Sequence, residues 1–68
     1  MITFELTTEY IELIKLLKIT RIAESGGMAK VLVENGEVRR NGEIEKRKRA
    51  KIIKGETITA LGKTVQVI

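Results

Sequence analysis

The sequence predicts an α+β fold, in which one strand is followed by two helices and then by several short strands. Two observations on periodicity support this. Apolar and polar residues alternate in the first six residues and again after residue 36, which is the period of a half-buried strand. Between these segments apolar residues recur every three to four positions, as in an amphipathic helix. A third observation is the order of the predicted helices and strands along the chain, because helices grouped apart from most strands are typical of α+β proteins.

Length and composition limit the classes of function. The 68 residues are 43% hydrophobic, and we expect them to form a single domain over residues 1–68 around one small core. The chain contains no His, Cys, Asp, Trp or Pro. It therefore lacks the commonest general base, the thiol nucleophile and the nitrogen and sulfur ligands of zinc. We expect a non-enzymatic protein with no cofactor and no metal site.

The first strand and first helix are predicted from residues 1–18. Ile2, Phe4 and Leu6 alternate with polar residues, which indicates a strand over residues 1–6. A helix is predicted over residues 8–18, with Thr7 or Thr8 as its cap. Its apolar stripe consists of Tyr10, Leu13, Ile14 and Leu17. We expect this helix to lie outside any phosphate-binding surface because of its carboxylates, so neutralising Lys15 and Lys18 should change little.

The second helix is predicted between Ser25, as N-cap, and Gly36, which ends it in the left-handed conformation. Its apolar face is predicted to consist of Met28, Val31 and Leu32. Gly26 and Gly27 weaken the first turn by helix propensity. They either leave backbone amides open to an oxyanion or form a tight packing corner between the helices. The sequence leaves both interpretations open.

The second half of the chain is predicted to be short strands. Asn41-Gly42, between Val38 and Ile44, is the strongest short signal of a tight hairpin. A basic run follows over residues 46–51, and residues 54–56 predict a turn. The last strands are predicted over residues 57–60 and 64–68. The first and last strands could pair with each other.

The positive charge is concentrated in one segment. The chain carries 13 basic and 9 acidic residues, a net charge of +4. Residues 39–51 hold seven of the basic and two of the acidic residues, so the rest of the chain is close to neutral. A basic patch on a nearly neutral body is typical of a protein that binds a polyanion. A solvated basic face without a partner is the alternative interpretation.

Two segments carry a resemblance to a known family. Residues 25–42 read SGGMAKVLVENGEVRRNG, and residues 54–58 read KGETI. Both resemble the RNA-binding domain of the ribosomal protein S-four type. The chain length, the N-terminal Phe-x-Leu strand and the run RKRAKI at residues 47–52 further resemble the small stand-alone bacterial YbcJ/YaaA group. The resemblance extends over essentially the whole chain.

The resemblance implies a helix-turn-helix-like pair packed against a small, mainly antiparallel sheet, with a basic surface for structured RNA. Ribosomal or transfer RNA is the expected ligand, and ribosomal particles are among the expected partners. Arg40 stands where the family usually has an aliphatic residue, so either it extends outward or the strand is locally twisted. The implied RNA-binding residues are Ser25, Gly26, Lys30, Arg39, Arg40, Asn41, Lys46, Arg47, Lys48, Arg49 and Lys51.

The aromatic residues bear on how RNA would be recognised. Phe4 and Tyr10 are the only two, and both fall on predicted apolar faces, so no base-stacking platform is expected. Recognition would then depend on the RNA backbone and shape. An adaptor that uses the basic strip to bind an acidic protein is the alternative function. We expect a cytoplasmic monomer that does not bind membranes.

Overall fold

The computed structural model describes residues 1–68, which form two helices and seven strands. Their order confirms the α+β fold predicted from the sequence. The elements are β1 (Ile2–Phe4), β2 (Ile11–Glu12), α1 (Leu13–Ile19), α2 (Gly26–Glu34), β3 (Val38–Arg40), β4 (Glu43–Ile44), β5 (Lys51–Ile52), β6 (Thr57–Ala60) and β7 (Lys63–Val67).

Five strands form one sheet in the order β1-β7-β6-β3-β4, and β2 and β5 form a separate two-stranded ladder. The first and last strands pair in parallel, with Phe4 opposite Val67. All other strand pairs are antiparallel. The expected small, mainly antiparallel sheet is therefore present, and it joins the two ends of the described chain.

The helices pack against each other and share one core with the sheet. The period-two pattern of β6 and β7 turns Ile58 and Val65 inward, while Thr57 and Thr64 stay partly exposed. Leu17 of α1 and Val33 of α2 are fully buried in the same core. Burial of this apolar surface is the main favourable term in folding such a small chain. The helix pair agrees with the helix-turn-helix-like arrangement that the resemblance implied.

Helix α1 begins five residues later than the sequence predicts. Residues 11 and 12 form β2 instead, where Ile11 lies opposite Ile52 of β5. Neither Thr7 nor Thr8 caps the helix, and Glu12 at the N-cap position makes no side-chain hydrogen bond. The prediction was wrong because Ile11 fits a helical stripe and a strand equally well, and a partner 41 residues away decides between them. Tyr10 consequently lies outside the helix and is 42% exposed.

Helix α2 begins and ends as predicted. The Ser25 hydroxyl accepts a hydrogen bond from the Met28 amide at 3.1 Å, and Gly36 has a φ of 72°. Its buried face differs from the prediction and consists of Ala29, Leu32 and Val33. Val31 is half exposed because the contact with α1 lies further round the helix.

The tight turns are found where the sequence predicts them. Asn41 and Gly42 both have positive φ, at 53° and 89°, as a two-residue hairpin of type I′ requires. They place Arg40 opposite Glu43 in the hairpin. Gly55, with a φ of 93°, lies in the predicted turn over residues 54–56.

Candidate nucleic-acid interface

The basic loop, defined as residues 46–50, connects β4 to β5 and is fixed to the start of α1. The amides of Leu13 and Ile14 donate to the carbonyls of Ala50 and Lys48, at 2.9 and 3.3 Å. The first turn of a helix has amides without partners inside the helix, and here the loop backbone supplies acceptors. The basic loop is therefore held against α1 by its main chain, which leaves its cationic side chains for the surface.

A concave surface of about 640 Å³, the lysine groove, lies between α1, the start of α2 and the basic loop. Five of its lining side chains are cationic and one is a carboxylate, so its potential is positive. The lysine groove is lined by Glu12, Ile14, Lys15, Lys18, Gly26, Lys30, Lys48 and Arg49.

A second basic concavity, the arginine hollow, adjoins the lysine groove. Its volume is about 440 Å³, and Arg49 lines both concavities. The side chains of Arg47 and Arg49 are 75% and 83% exposed, as expected for residues that could meet a ligand. The arginine hollow is lined by Arg40, Arg47, Arg49, Ala50 and Lys51.

Arg40 is engaged within the protein. Its guanidinium donates to Glu56 through Nε at 2.7 Å and Nη2 at 2.9 Å, to Glu45 at 3.2 Å and to the Lys51 carbonyl at 2.8 Å. The side chain is 22% exposed, and β3 pairs regularly on both sides. The interpretation in which Arg40 extends outward is wrong, because its guanidinium is held by Glu45, Glu56 and the Lys51 carbonyl. Glu45 and Lys51 flank the basic loop, so Arg40 joins the two ends of that loop.

Two carboxylates reduce the charge available in the arginine hollow. Hydrogen bonds from Arg47 are the main cause that lowers the pKa of Glu45 to about 2, against the cost of burial. Arg40 likewise lowers the pKa of Glu56 through hydrogen bonding. Both carboxylates are therefore ionised at neutral pH and partly neutralise the arginines. The less compensated cations lie in the lysine groove, where Lys15, Lys18 and Lys30 form no ion pair.

The other cations of the lysine groove have exposed partners. Lys48 Nζ lies 2.9 Å from a Glu34 carboxylate oxygen, and Arg49 Nε lies 3.6 Å from Glu12. Exposed pairs of this kind contribute little to stability, so a phosphate can replace the carboxylate at small cost. These two side chains are therefore able to contribute to binding.

The structure brings some of the predicted residues together and leaves others apart. Gly26, Lys30, Lys48 and Arg49 meet in the lysine groove, and Arg40, Arg47, Arg49 and Lys51 meet in the arginine hollow. Asn41 has a structural role, because its side-chain amide donates to the Glu56 carboxylate and its side-chain oxygen accepts from the Thr57 amide.

Like Asn41, three other predicted residues line neither concavity. Arg39 precedes Arg40 on β3 and so faces the opposite side of the sheet, where it donates to the Gly42 carbonyl at 3.2 Å. Lys46 lies beside Gly36, at the other end of α2. Ser25 caps α2 next to Gly26. Their roles toward a ligand stay predictions.

Lys15 and Lys18 were missed by the sequence analysis. They were expected to lie outside the binding surface, yet both line the lysine groove. Their spacing of three residues, on the side of α1 away from Leu13 and Leu17, placed them on one exposed face and was the available signal. What the sequence lacked was the direction of that face relative to α2 and the basic loop.

The surroundings of Gly26 decide between its two interpretations. A Cβ at this position would meet no atom within 4 Å, and Gly26 is not among the residues with positive φ. A tight packing corner at Gly26 is therefore excluded. Gly26 lines the lysine groove, and its backbone is not covered by a neighbouring side chain.

No group of three or more His, Cys, Asp or Glu side chains could hold a metal ion. Neither helix is long and apolar enough to cross a membrane.

Comparisons with known proteins give consistent matches. A family model described as the S4 domain matches residues 4–68. The chain is 42% identical over 69 residues to the Escherichia coli (strain K12) protein called "Putative RNA-binding protein YbcJ", with 100% of this chain and 99% of that protein covered. The "Uncharacterized protein YbcJ" of Shigella flexneri matches with the same identity and coverage.

The fold also matches a solved structure. The solution structure of YbcJ from E. coli superposes with a TM-score of 0.78 at 42% sequence identity, covering 100% of this chain and 87% of that one. That structure is described as revealing an αL motif involved in RNA binding. The similarity therefore extends over both sequence and three-dimensional fold.

Proposed function

The chain belongs to the S4 domain family, and from this membership we propose that it binds structured RNA in the lysine groove, without catalysis. The observation that carries the proposal is the groove itself, where five cations surround the open backbone of Gly26. Phosphate oxygens are bound in proteins by such cations and by exposed amides. The description of the similar YbcJ structure, with a motif involved in RNA binding, supports the same ligand.

Structured RNA fits this surface better than double-stranded DNA. The groove offers mainly lysines, which act as point charges toward phosphates and do not read base edges. Helix α2 carries one cation, Lys30, and too few polar side chains to read a major groove. Folded RNA with A-form segments is recognised chiefly through backbone and shape, which suits cations spread over a concave surface.

We further propose that the ligand is ribosomal or transfer RNA, bound by a monomer in the cytoplasm. Both RNAs offer short A-form helices joined by loops, and the structure measures 27 × 21 × 19 Å, small enough to contact one such helix. The basic loop and the lysine groove would then contact neighbouring phosphates of one RNA helix.

The test is a competition between RNA and an acidic polypeptide. Labelled transfer RNA and a labelled ribosomal RNA hairpin are each titrated with the protein and then challenged with unlabelled RNA or with polyglutamate of equal total charge. We expect saturable binding that unlabelled RNA displaces and polyglutamate does not. Equally effective displacement by polyglutamate would contradict RNA binding and favour an adaptor for an acidic protein.

A further inference from the structure

Tyr10 is the one aromatic side chain that the fold leaves substantially exposed. Phe4 packs against the core from β1, whereas Tyr10 lies in the extended segment before β2 with 42% of its surface exposed. The Thr8 hydroxyl donates to the Tyr10 carbonyl at 2.8 Å and so fixes the bend that carries it. The expectation that no stacking platform exists depended on placing Tyr10 on a buried helical stripe, which the structure contradicts.

Tyr10 lines a hollow of about 510 Å³ between β1, the bend and α1. Half of the lining residues are hydrophobic, among them Phe4, Leu6 and Ile19. Sites for small planar ligands have volumes of this order and combine apolar walls with a few polar groups. The hollow is thus large enough for one nucleobase.

The hollow continues into the lysine groove. Lys15 and Glu12 line both concavities, so a nucleotide at this junction can place its phosphate toward the cations and its base toward Tyr10. The lining includes Glu9 and Glu12, whose carboxylates would repel a phosphate and can accept a hydrogen bond from a base amino group. The charges therefore favour a neutral base as the occupant.

Lys51 connects the tyrosine to the arginine hollow. Its Nζ lies 5.0 Å from the centre of the Tyr10 ring, within the range of a cation–π contact. The contact places a cation over one face of the ring, so a base in the hollow would stack on the other face. The phosphate of a nucleotide stacked on Tyr10 could then bind the neighbouring Lys51 ammonium.

We propose that the hollow between β1 and α1 binds one unpaired nucleobase of the RNA, stacked on Tyr10. The proposal rests on the proposed function and adds a specificity to it, namely a preference for RNA helices interrupted by an unpaired nucleotide. Stacking of a base on an aromatic side chain is tolerant of base identity. Tyr10 would accordingly select an unpaired position and not a sequence.

The test compares two RNAs and two variants. A blunt RNA duplex and the same duplex with one bulged nucleotide are titrated with the wild-type protein, Tyr10→Phe and Tyr10→Leu. We expect the wild type and Tyr10→Phe to prefer the bulged RNA by about 5- to 150-fold, the range for loss of one stacked base. Tyr10→Leu should lose that preference, with unchanged affinity for the duplex and an unchanged salt dependence.

A second measurement needs no variant. Tyr10 is the only tyrosine and the chain has no tryptophan, so the intrinsic emission of the protein comes from Tyr10. We expect the bulged RNA to quench this emission and the duplex to leave it nearly unchanged.

The outcomes separate this proposal from the proposed function. Equal affinity of the wild type for both RNAs, or equal weakening of both by Tyr10→Leu, would overturn base stacking while RNA binding stands. Equal weakening of the affinities for both RNAs would mean that Tyr10 acts only by holding the Lys51 ammonium in position. Failure of both RNAs to bind the wild type would overturn the proposed function and this proposal together.

Discussion

Arg40 holds Glu56 by two parallel hydrogen bonds, from Nε to Oε2 at 2.7 Å and from Nη2 to Oε1 at 2.9 Å. The pair joins the β3–β4 hairpin to the turn after β5, and both side chains are largely removed from water. Only an arginine offers two parallel donors in this fixed geometry. The same guanidinium bonds Glu45 and the Lys51 carbonyl, so one side chain fixes both ends of the basic loop.

Replacing Arg40 by glutamine should destabilise the protein. Arg40→Gln leaves the Glu56 carboxylate without its main cationic partner and removes one of the two arginines that bond Glu45, so we expect the free energy of unfolding to fall by about 1–3 kcal/mol. The measurement is urea unfolding at pH 7. Arg39→Gln is the matched control, because Arg39 is the exposed neighbour on the same strand and should change stability by less than about 0.5 kcal/mol. Equal effects of the two substitutions would contradict the role of Arg40.

Stability should depend on pH in the acidic range. The pKa of Glu45 is lowered from 4.5 to about 2, so the folded protein binds a proton less readily than the unfolded chain. The contribution of Glu45 is complete above the unfolded value and disappears as the pH falls toward 2. The lowered pKa of Glu56 acts in the same direction. We expect a constant melting temperature above about pH 5 and a decline below it.

A pair of variants tests the source of that decline. Glu45→Gln should be less stable at pH 7 and should lose less stability on acidification than the wild type. Glu37→Gln serves as control, because Glu37 is exposed and forms no ion pair. If both variants retained the wild-type decline, Glu45 would not be its source.

RNA affinity should fall steeply with salt, and the lysines of α1 should contribute to the slope. With about four to six phosphate contacts, affinity should decrease by about 50-fold or more between roughly 50 and 200 mM salt. The double variant Lys15→Gln, Lys18→Gln should bind more weakly and reduce the slope by about one for each lost contact. Titrations at several salt concentrations measure both quantities.

Lys54→Gln, Lys63→Gln is the matched control for charge. Both of these lysines are exposed, both lie outside the lysine groove and the arginine hollow, and the change in net charge is the same. Its affinity should stay close to that of the wild type. Equal losses from the two double variants would indicate attraction to net charge and not to the lysine groove.

Gly26→Ala should separate binding from stability. A Cβ at Gly26 meets no atom within 4 Å, and alanine is the better helix former, so the melting temperature should stay the same or rise. RNA affinity should fall, because the methyl group covers backbone that the groove exposes. Thermal melting and RNA titration measure the two effects. Normal affinity would remove Gly26 from the binding surface.

Features that depend on local backbone chemistry could be predicted from the sequence. Asn41-Gly42 specifies a hairpin because both residues must adopt positive φ, and few other pairs do so readily. Ser25 and Gly36 mark the ends of α2 because each meets a local requirement of a helix terminus.

Features that depend on distant partners could not be predicted. The start of α1 is set by the pairing of Ile11 with Ile52, which no local pattern reveals. Lys15 and Lys18 line the lysine groove only because α1 lies beside the start of α2 and beside the basic loop. From the sequence alone Arg40 looks like a surface cation, because its partners Glu45 and Glu56 are brought to it only by the fold.

The hydrogen bonds from Leu13 and Ile14 to the basic loop have a consequence for the thermodynamics of association. Fixing a backbone residue costs about 1–2 kcal/mol of conformational entropy, and a mobile loop loses that entropy when its ligand arrives. Here the Lys48 and Ala50 carbonyls are already bonded to the first turn of α1 in the folded chain, so movement of this part of the loop would break hydrogen bonds to the helix. A ligand therefore meets a loop whose backbone is fixed at Lys48 and Ala50, and the entropy of ordering these two residues is not subtracted from its affinity.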